Sequence, residues 1–119
     1  MTDEHHPSLF RPGVGERGMT ALHWAACRGD PEGVREALAQ GCEVNERDRY
    51  RGYAPVHWLA AMAATGGERM VVLHLLLQRG ADINLRSGTN ETALGLAREA
   101  GSQAGDELAD ALVRLGGVE

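Results

Sequence analysis

The chain has 119 residues and a formal net charge of −5, with 43% hydrophobic, 24% charged and 4% aromatic residues. That is one small domain of ordinary globular composition, with little depth for a secluded catalytic cavity. The acidic balance and the lack of an apolar run approaching about 20 residues exclude a general nucleic-acid binder and an integral membrane protein.

The charge is unevenly spread, at −1 over residues 1–17, −2 over 18–50, +2 over 51–88 and −4 over 89–119. All 12 basic side chains are arginine, so lysine-directed modification has no side-chain target. Cys27 and Cys42 are too few for a disulfide scaffold or a cysteine-only zinc site and read as buried reduced thiols. The start, Met1-Thr2-Asp3-Glu4, has none of the basic and apolar succession of a secretory signal, which points to the cytoplasm.

In chain order, residues 1–17 read as an irregular arm whose Phe10 can tuck under the first repeat. Thr20 caps a short helix over 21–28, and Asp30-Pro31-Glu32 supplies an N-cap, a first-turn proline and an acidic start to a second helix that ends near Gly41. Pro55 opens a third helix to about residue 64. A fourth spans 68–79, with Val71, Val72, Leu75 and Leu76 at helical spacing and Gly80 as its stop. The last pair covers 93–100 and 105–115, where Leu108, Leu112 and Leu115 form one stripe opposite Asp106, Glu107 and Asp110.

These helices repeat. Gly18-Met19-Thr20-Ala21-Leu22-His23-Trp24-Ala25-Ala26 returns 34 positions later as Gly52-Tyr53-Ala54-Pro55-Val56-His57-Trp58-Leu59-Ala60, and Thr92-Ala93-Leu94 follows after 38 more. Gly41-Cys42-Glu43-Val44-Asn45 is matched in step by Gly80-Ala81-Asp82-Ile83-Asn84. The paired blocks resemble the ankyrin repeat, with its T-P-L-H-x-A signature and period near 33. The resemblance implies an all-α solenoid of stacked helix-turn-helix pairs with projecting hairpin-like loops over 18–119, divided near 18–50, 51–88 and 89–119. The spacing from histidine to asparagine is 22 in the first repeat and 27 in the second, so about five extra residues fall within 62–67. The third repeat has Gly95 in place of histidine and lacks the Gly-Ala-Asp block, as a terminal cap would.

By the same resemblance Thr20, His23, Gly41, Asn45, His57, Gly80, Asn84 and Thr92 are structural repeat positions. Trp24 and Trp58 read as packed framework. The loop Arg47-Asp48-Arg49-Tyr50-Arg51-Gly52-Tyr53 concentrates three arginines and two tyrosines, residue types enriched at interface hot spots. A bland alternative is a solvated turn whose arginines pair with Glu43, Glu46 and Asp48. The resemblance makes this loop a finger beside a shallow concave face, so Arg47, Arg49, Tyr50, Arg51 and Tyr53 are the expected partner-binding residues. Arg17 and Met19 lie on the preceding finger, Thr89 and Glu91 on the following one, and Arg28 and Met62 on the inner helices, with Cys27, Ala63, Glu99 and Ala100 beside them.

The expected function is a non-enzymatic protein-binding module, acting as an adaptor, a masking inhibitor or an antidote, on a partner with an acidic patch. No cofactor or metal is expected, and a homo-oligomer is compatible with the sequence but not predicted by it. The alternative is a small-ligand binder or enzyme using His57, Trp58 and His74.

Overall fold

Thr20 and Thr92 each sit in extended backbone and accept main-chain N–H groups into the next turn, so each starts a helix at the following residue. Ala54 occupies the same place in the middle repeat without a capping side chain, and Pro55 takes the first helical position, where no N–H is needed. The computed structural model describes residues 18–119. Six helices follow, α1 (Ala21–Arg28), α2 (Pro31–Ala39), α3 (Pro55–Ala61), α4 (Arg69–Gln78), α5 (Ala93–Glu99) and α6 (Gln103–Arg114). No strand occurs among the described residues. The arm, with Phe10, lies outside them.

Helices of 7 to 12 residues are too short to stand alone, so their stability comes from stacking. In this structure α1, α3 and α5 pack in one row, each against its own second helix, while α2, α4 and α6 make a second row. The two rows enclose one slab, in which Leu22, Val34, Val56, Leu59, Val72, Leu73, Leu76, Leu108 and Leu112 are buried.

Local details depart from the sequence expectations. Asp30 makes no side-chain cap to α2; its carboxylate instead lies 4.0 Å from Arg28. The third helix stops at Ala61, because Met62 leaves helical geometry and the chain tightens into a 3-10 turn, Ala63–Thr65. Val71 and Leu115, expected within apolar stripes, are 38% and 49% exposed. Val72, Leu73 and Leu76 supply the buried side of α4, and Leu115 follows the end of α6. The sixth helix starts two residues earlier than expected because Ser102 caps it.

The final turn of the chain preserves a geometry that its letters do not advertise. Asn45 donates to the Gly80 carbonyl at 3.1 Å and accepts from the Asp82 N–H at 2.8 Å. Asn84 repeats the brace on Gly116 at 3.2 Å and Val118 at 2.9 Å, and Gly116 has φ +92 where Gly80 has +88. Thus Gly116-Gly117-Val118 makes the turn of the Gly-Ala-Asp block, whose letters the third repeat lacks.

Candidate protein-binding surface

The loops between helix pairs are held by the two repeated histidines. His23 is fully buried; its Nδ1 accepts the Thr20 N–H at 3.0 Å, and its Nε2–H donates to the Glu46 and Tyr53 carbonyls at 2.8 and 3.0 Å. His57 repeats the pattern, with Nδ1 on the Ala54 N–H at 2.9 Å and Nε2–H on the Leu85 and Glu91 carbonyls at 2.8 and 3.1 Å. Each ring therefore ties a helix start to both sides of a finger. Burial pulls both imidazoles below their ordinary pKa, and this outweighs the opposing pull of the carbonyls they donate to.

Asp48 organises the tip of the first finger, residues 48–53. Its Oδ1 accepts the N–H groups of Tyr50, Arg51 and Tyr53 at 3.1, 2.9 and 3.2 Å, and its Oδ2 accepts the Trp58 indole N–H at 2.7 Å. A backbone bond of 2.9 Å from Asp48 to the Tyr53 carbonyl closes the turn. The carboxylate is buried and takes all four donors.

The second finger leans on the first. Gly88 N–H donates to the Arg51 carbonyl at 3.1 Å, and Arg47 donates from Nε and Nη2 to the Arg86 carbonyl at 3.2 and 2.8 Å. Gly52 has φ +67, and a Cβ there would stand 2.5 Å from Gly88 N, so only glycine permits this approach. Tyr53 donates its hydroxyl to Glu91 at 3.0 Å, and Ser87 and Thr89 also donate to that carboxylate. The Thr89 hydroxyl, ahead of those of Tyr53 and Ser87, holds the Glu91 carboxyl below its ordinary value.

On this frame lies an exposed strip of cations and rings. Arg51 stands 5.2 Å from the Tyr50 ring centre and 5.9 Å from that of Tyr53, a cation over two phenol faces. Tyr50 is 47% exposed and parallel to Trp58, with centres 6.5 Å apart. Trp24, one repeat before Trp58, is 49% exposed on α1. Among the described residues no carboxylate lies within ion-pair distance of Arg47, Arg49 or Arg51.

Several expected binding residues fall elsewhere. Met19 and Tyr53 are only 5% and 3% exposed, because Met19 leads directly into the buried cap at Thr20 and Tyr53 packs edge-on against Trp58 with centres 5.0 Å apart. Neither is a surface anchor. Trp24, expected to pack, is the opposite case; Leu22, His23, Ala25 and Ala26 fill the buried side of α1 and leave position 24 outside. Ala63 is buried in the 3-10 turn, whereas Arg28, Thr89 and Glu99 are exposed and Cys27, Met62, Glu91 and Ala100 are half-buried. Arg17 lies outside the described residues.

His57, Trp58 and His74 do not assemble a ligand site. Both nitrogens of His57 are engaged, the Trp58 N–H is taken by Asp48, and exposed His74 bonds the Met70 carbonyl of its own helix at 2.8 Å. A shallow recess of about 330 Å³ lies elsewhere, between the second finger and α5, lined by Asn90, Thr92, Leu96 and Arg98 among others. Among the described residues no cluster of His, Cys, Asp and Glu has the makings of a metal site, and no helix is long and apolar enough to cross a membrane.

Residues 4–87 match the family model described as ankyrin repeats, in three copies. The chain is 37% identical over 75 residues to human Ankyrin repeat and SOCS box protein 6 and 36% identical to its mouse counterpart. Each match covers 63% of this chain but 17% of the relative. It is also 34% identical over 83 residues to Palmitoyltransferase AKR1 of Saccharomyces cerevisiae, covering 70% of this chain and 10% of that protein. The chain thus spans less than a fifth of the curated relatives it matches.

Proposed function

The chain belongs to the ankyrin-repeat family, and on that premise we propose that it binds another protein through its first two fingers and the exposed side of α1 and α3. Ankyrin repeats generally mediate protein–protein interaction, and the family is typically non-enzymatic. The observation that carries the reading is the strip of Trp24, Tyr50, Trp58, Arg49 and Arg51. It combines the half-exposed rings of Trp24 and Tyr50 and the partly buried Trp58 with arginines that make no ion pair among the described residues. Rings of this kind supply buried area at low entropic cost, and an arginine pre-set over tyrosine faces offers its fork to a carboxylate. The partner is accordingly a protein with an acidic patch next to an apolar side chain. The module has no chemistry of its own and serves as an adaptor, a masking inhibitor or an antidote. Thiols at Cys27 and Cys42 suit a reducing compartment such as the cytoplasm.

The test is capture from native lysate, followed by affinity measurement with the purified captured protein. The informative variant is Trp24→Ala with Tyr50→Ala and Arg51→Ala, leaving buried Tyr53 in place. Val71→Ala on α4 serves as the control. We expect at least a tenfold loss of affinity in the triple variant and none in the control. Equal affinity of the triple variant and the unaltered protein would remove the strip from the interface.

A further inference from the structure

The helix at the other end of the stack carries the chemical complement of this strip. On α6, Asp106, Asp110 and Val113 follow one another at i, i+4 and i+7, with Glu107 beside them, and all four are exposed. Val113 is 48% exposed, and Arg114 follows it on the helix. Among the described residues no cation lies within ion-pair distance of Asp106, Glu107 or Asp110.

One chain therefore displays two surfaces of opposite charge, each beside exposed apolar or aromatic side chains and, among the described residues, neither closed by an ion pair. Within the finger, residues 47–53, three arginines stand against one aspartate, and the segment 89–119 totals −4. The two surfaces cannot meet within a molecule. The strip belongs to the first two helix pairs, whereas α6 is the last helix and packs on α5, α4 and the 3-10 turn.

We infer that the acidic, apolar stripe of α6 on one molecule docks on the arginine–aromatic strip of a second copy, covering the surface through which that copy binds its partner. This rests on the proposed binding reading of the strip and adds a regulator to it. The contact is heterologous, so it leaves one free surface at each end of a pair and propagates into chains or closes into a ring. Both patches are small beside the roughly 1,600 Å² of a standard stable interface, so the association is weak and concentration-dependent. Because opposed charges carry it, added salt weakens it. The net charge of −5 on every copy opposes other orientations, which bring like charges together.

The experiment is sedimentation velocity and light scattering of the full chain over a wide concentration series, at low and high salt. It uses two variants on exposed residues, each first shown to keep the parent's helical signal and melting temperature. The finger variant is Arg49→Glu with Arg51→Glu; the helix variant is Glu107→Ala with Asp110→Ala. The unaltered protein should rise above its 12.8 kDa monomer mass at low salt and return to it at high salt. Each variant alone should stay monomeric. An equal mixture should reach twice the monomer mass and stop there, since only the helix of the finger variant and the finger of the helix variant still match. A constant monomer mass for the unaltered protein, association of either variant alone, or a monomeric mixture would each overturn the inference. Partner capture is a separate readout: a monomeric protein that still loses its partner on substitution of the strip removes the self-docking and keeps the binding module.

Discussion

His23 and His57 show how a single side chain can hold a helix start and a distant loop together. Their acceptor nitrogen faces a backbone N–H, so a second proton on the ring would set donor against donor. Burial accordingly holds both below the ordinary value of 6.5. The unfolded chain takes up protons near that pH while the folded rings resist. Stability is therefore complete above about pH 6.5 and falls below it, with a slope of up to about 1.4 kcal/mol per pH unit for each histidine. Urea melts at neutral and mildly acidic pH should show the decline, and His57→Gln should reduce its slope as well as the baseline stability. A stability that is flat across that range would contradict the neutral-ring assignment. Asp48 is the other residue on which the finger depends. Asp48→Ala strands three backbone donors and the Trp58 indole N–H, and we expect a loss of about 2 to 3 kcal/mol, measurable by the same melts.

Among the elements, the insertion after α3 differs most from a simple repeat. Glu68 N–H bonds the Gly29 carbonyl at 2.8 Å, and a Cβ on Gly67 would stand 2.4 Å from the Arg28 carbonyl, so the extra residues fold against the end of α1. The first residue of α4, Arg69, then reaches into that junction. It bonds the Gly66 carbonyl at 2.6 Å, those of Ala26 and Leu59 at 3.3 and 2.9 Å, that of Cys27 at 2.8 Å and the Thr65 hydroxyl at 2.7 Å. One guanidinium thus serves the open carbonyls at the ends of two helices, α1 and α3. We expect Arg69→Met to cost about 3 kcal/mol or more, because the carbonyls remain buried when their donor is removed. Arg69→Lys should rescue little of it, since a point ammonium cannot reproduce the planar fork. Thermal melts of the two variants decide; full rescue by lysine would show that charge alone matters. Burial also pushes the Cys27 thiol beside Arg69 above its ordinary pKa, against the opposing pull of Arg69 and Arg28.

For the molecule as a whole, the slab shared by both helix rows makes neighbouring repeats depend on one another. Leu76 lies fully buried on α4, which packs against α2, α3 and α6. Leu76→Ala should destabilise by about 2 to 5 kcal/mol. Because no helix pair can bury its stripe alone, the loss should reach all three pairs at once. Far-UV circular dichroism, which sees every helix, and tryptophan fluorescence, which sees the first two pairs, should then report coincident transitions. Separated transitions would mean that the third pair unfolds on its own.

The sequence by itself determined the architecture, because two linked blocks that recur in order, 34 and 39 residues on, resemble a repeat built by stacking equivalent helix pairs. It also marked the Arg47 to Tyr53 finger, since arginine and tyrosine are conspicuous by type. What it left open was which side of a short helix or tight loop each residue would occupy. Tyr50 and Tyr53 are three residues apart in one loop, yet one is exposed and the other buried on Trp58. Trp24 had a readable sign, lying between positions that fill the buried side of α1, whereas Arg69 had none: its acceptors belong to α1, α3 and the inserted turn. Composition and spacing are local and survive in the letters. The choice between an exposed ring and a buried one, or between a free arginine and one that closes two helices, is made by neighbours up to 43 residues away, and only the tertiary structure brings those together.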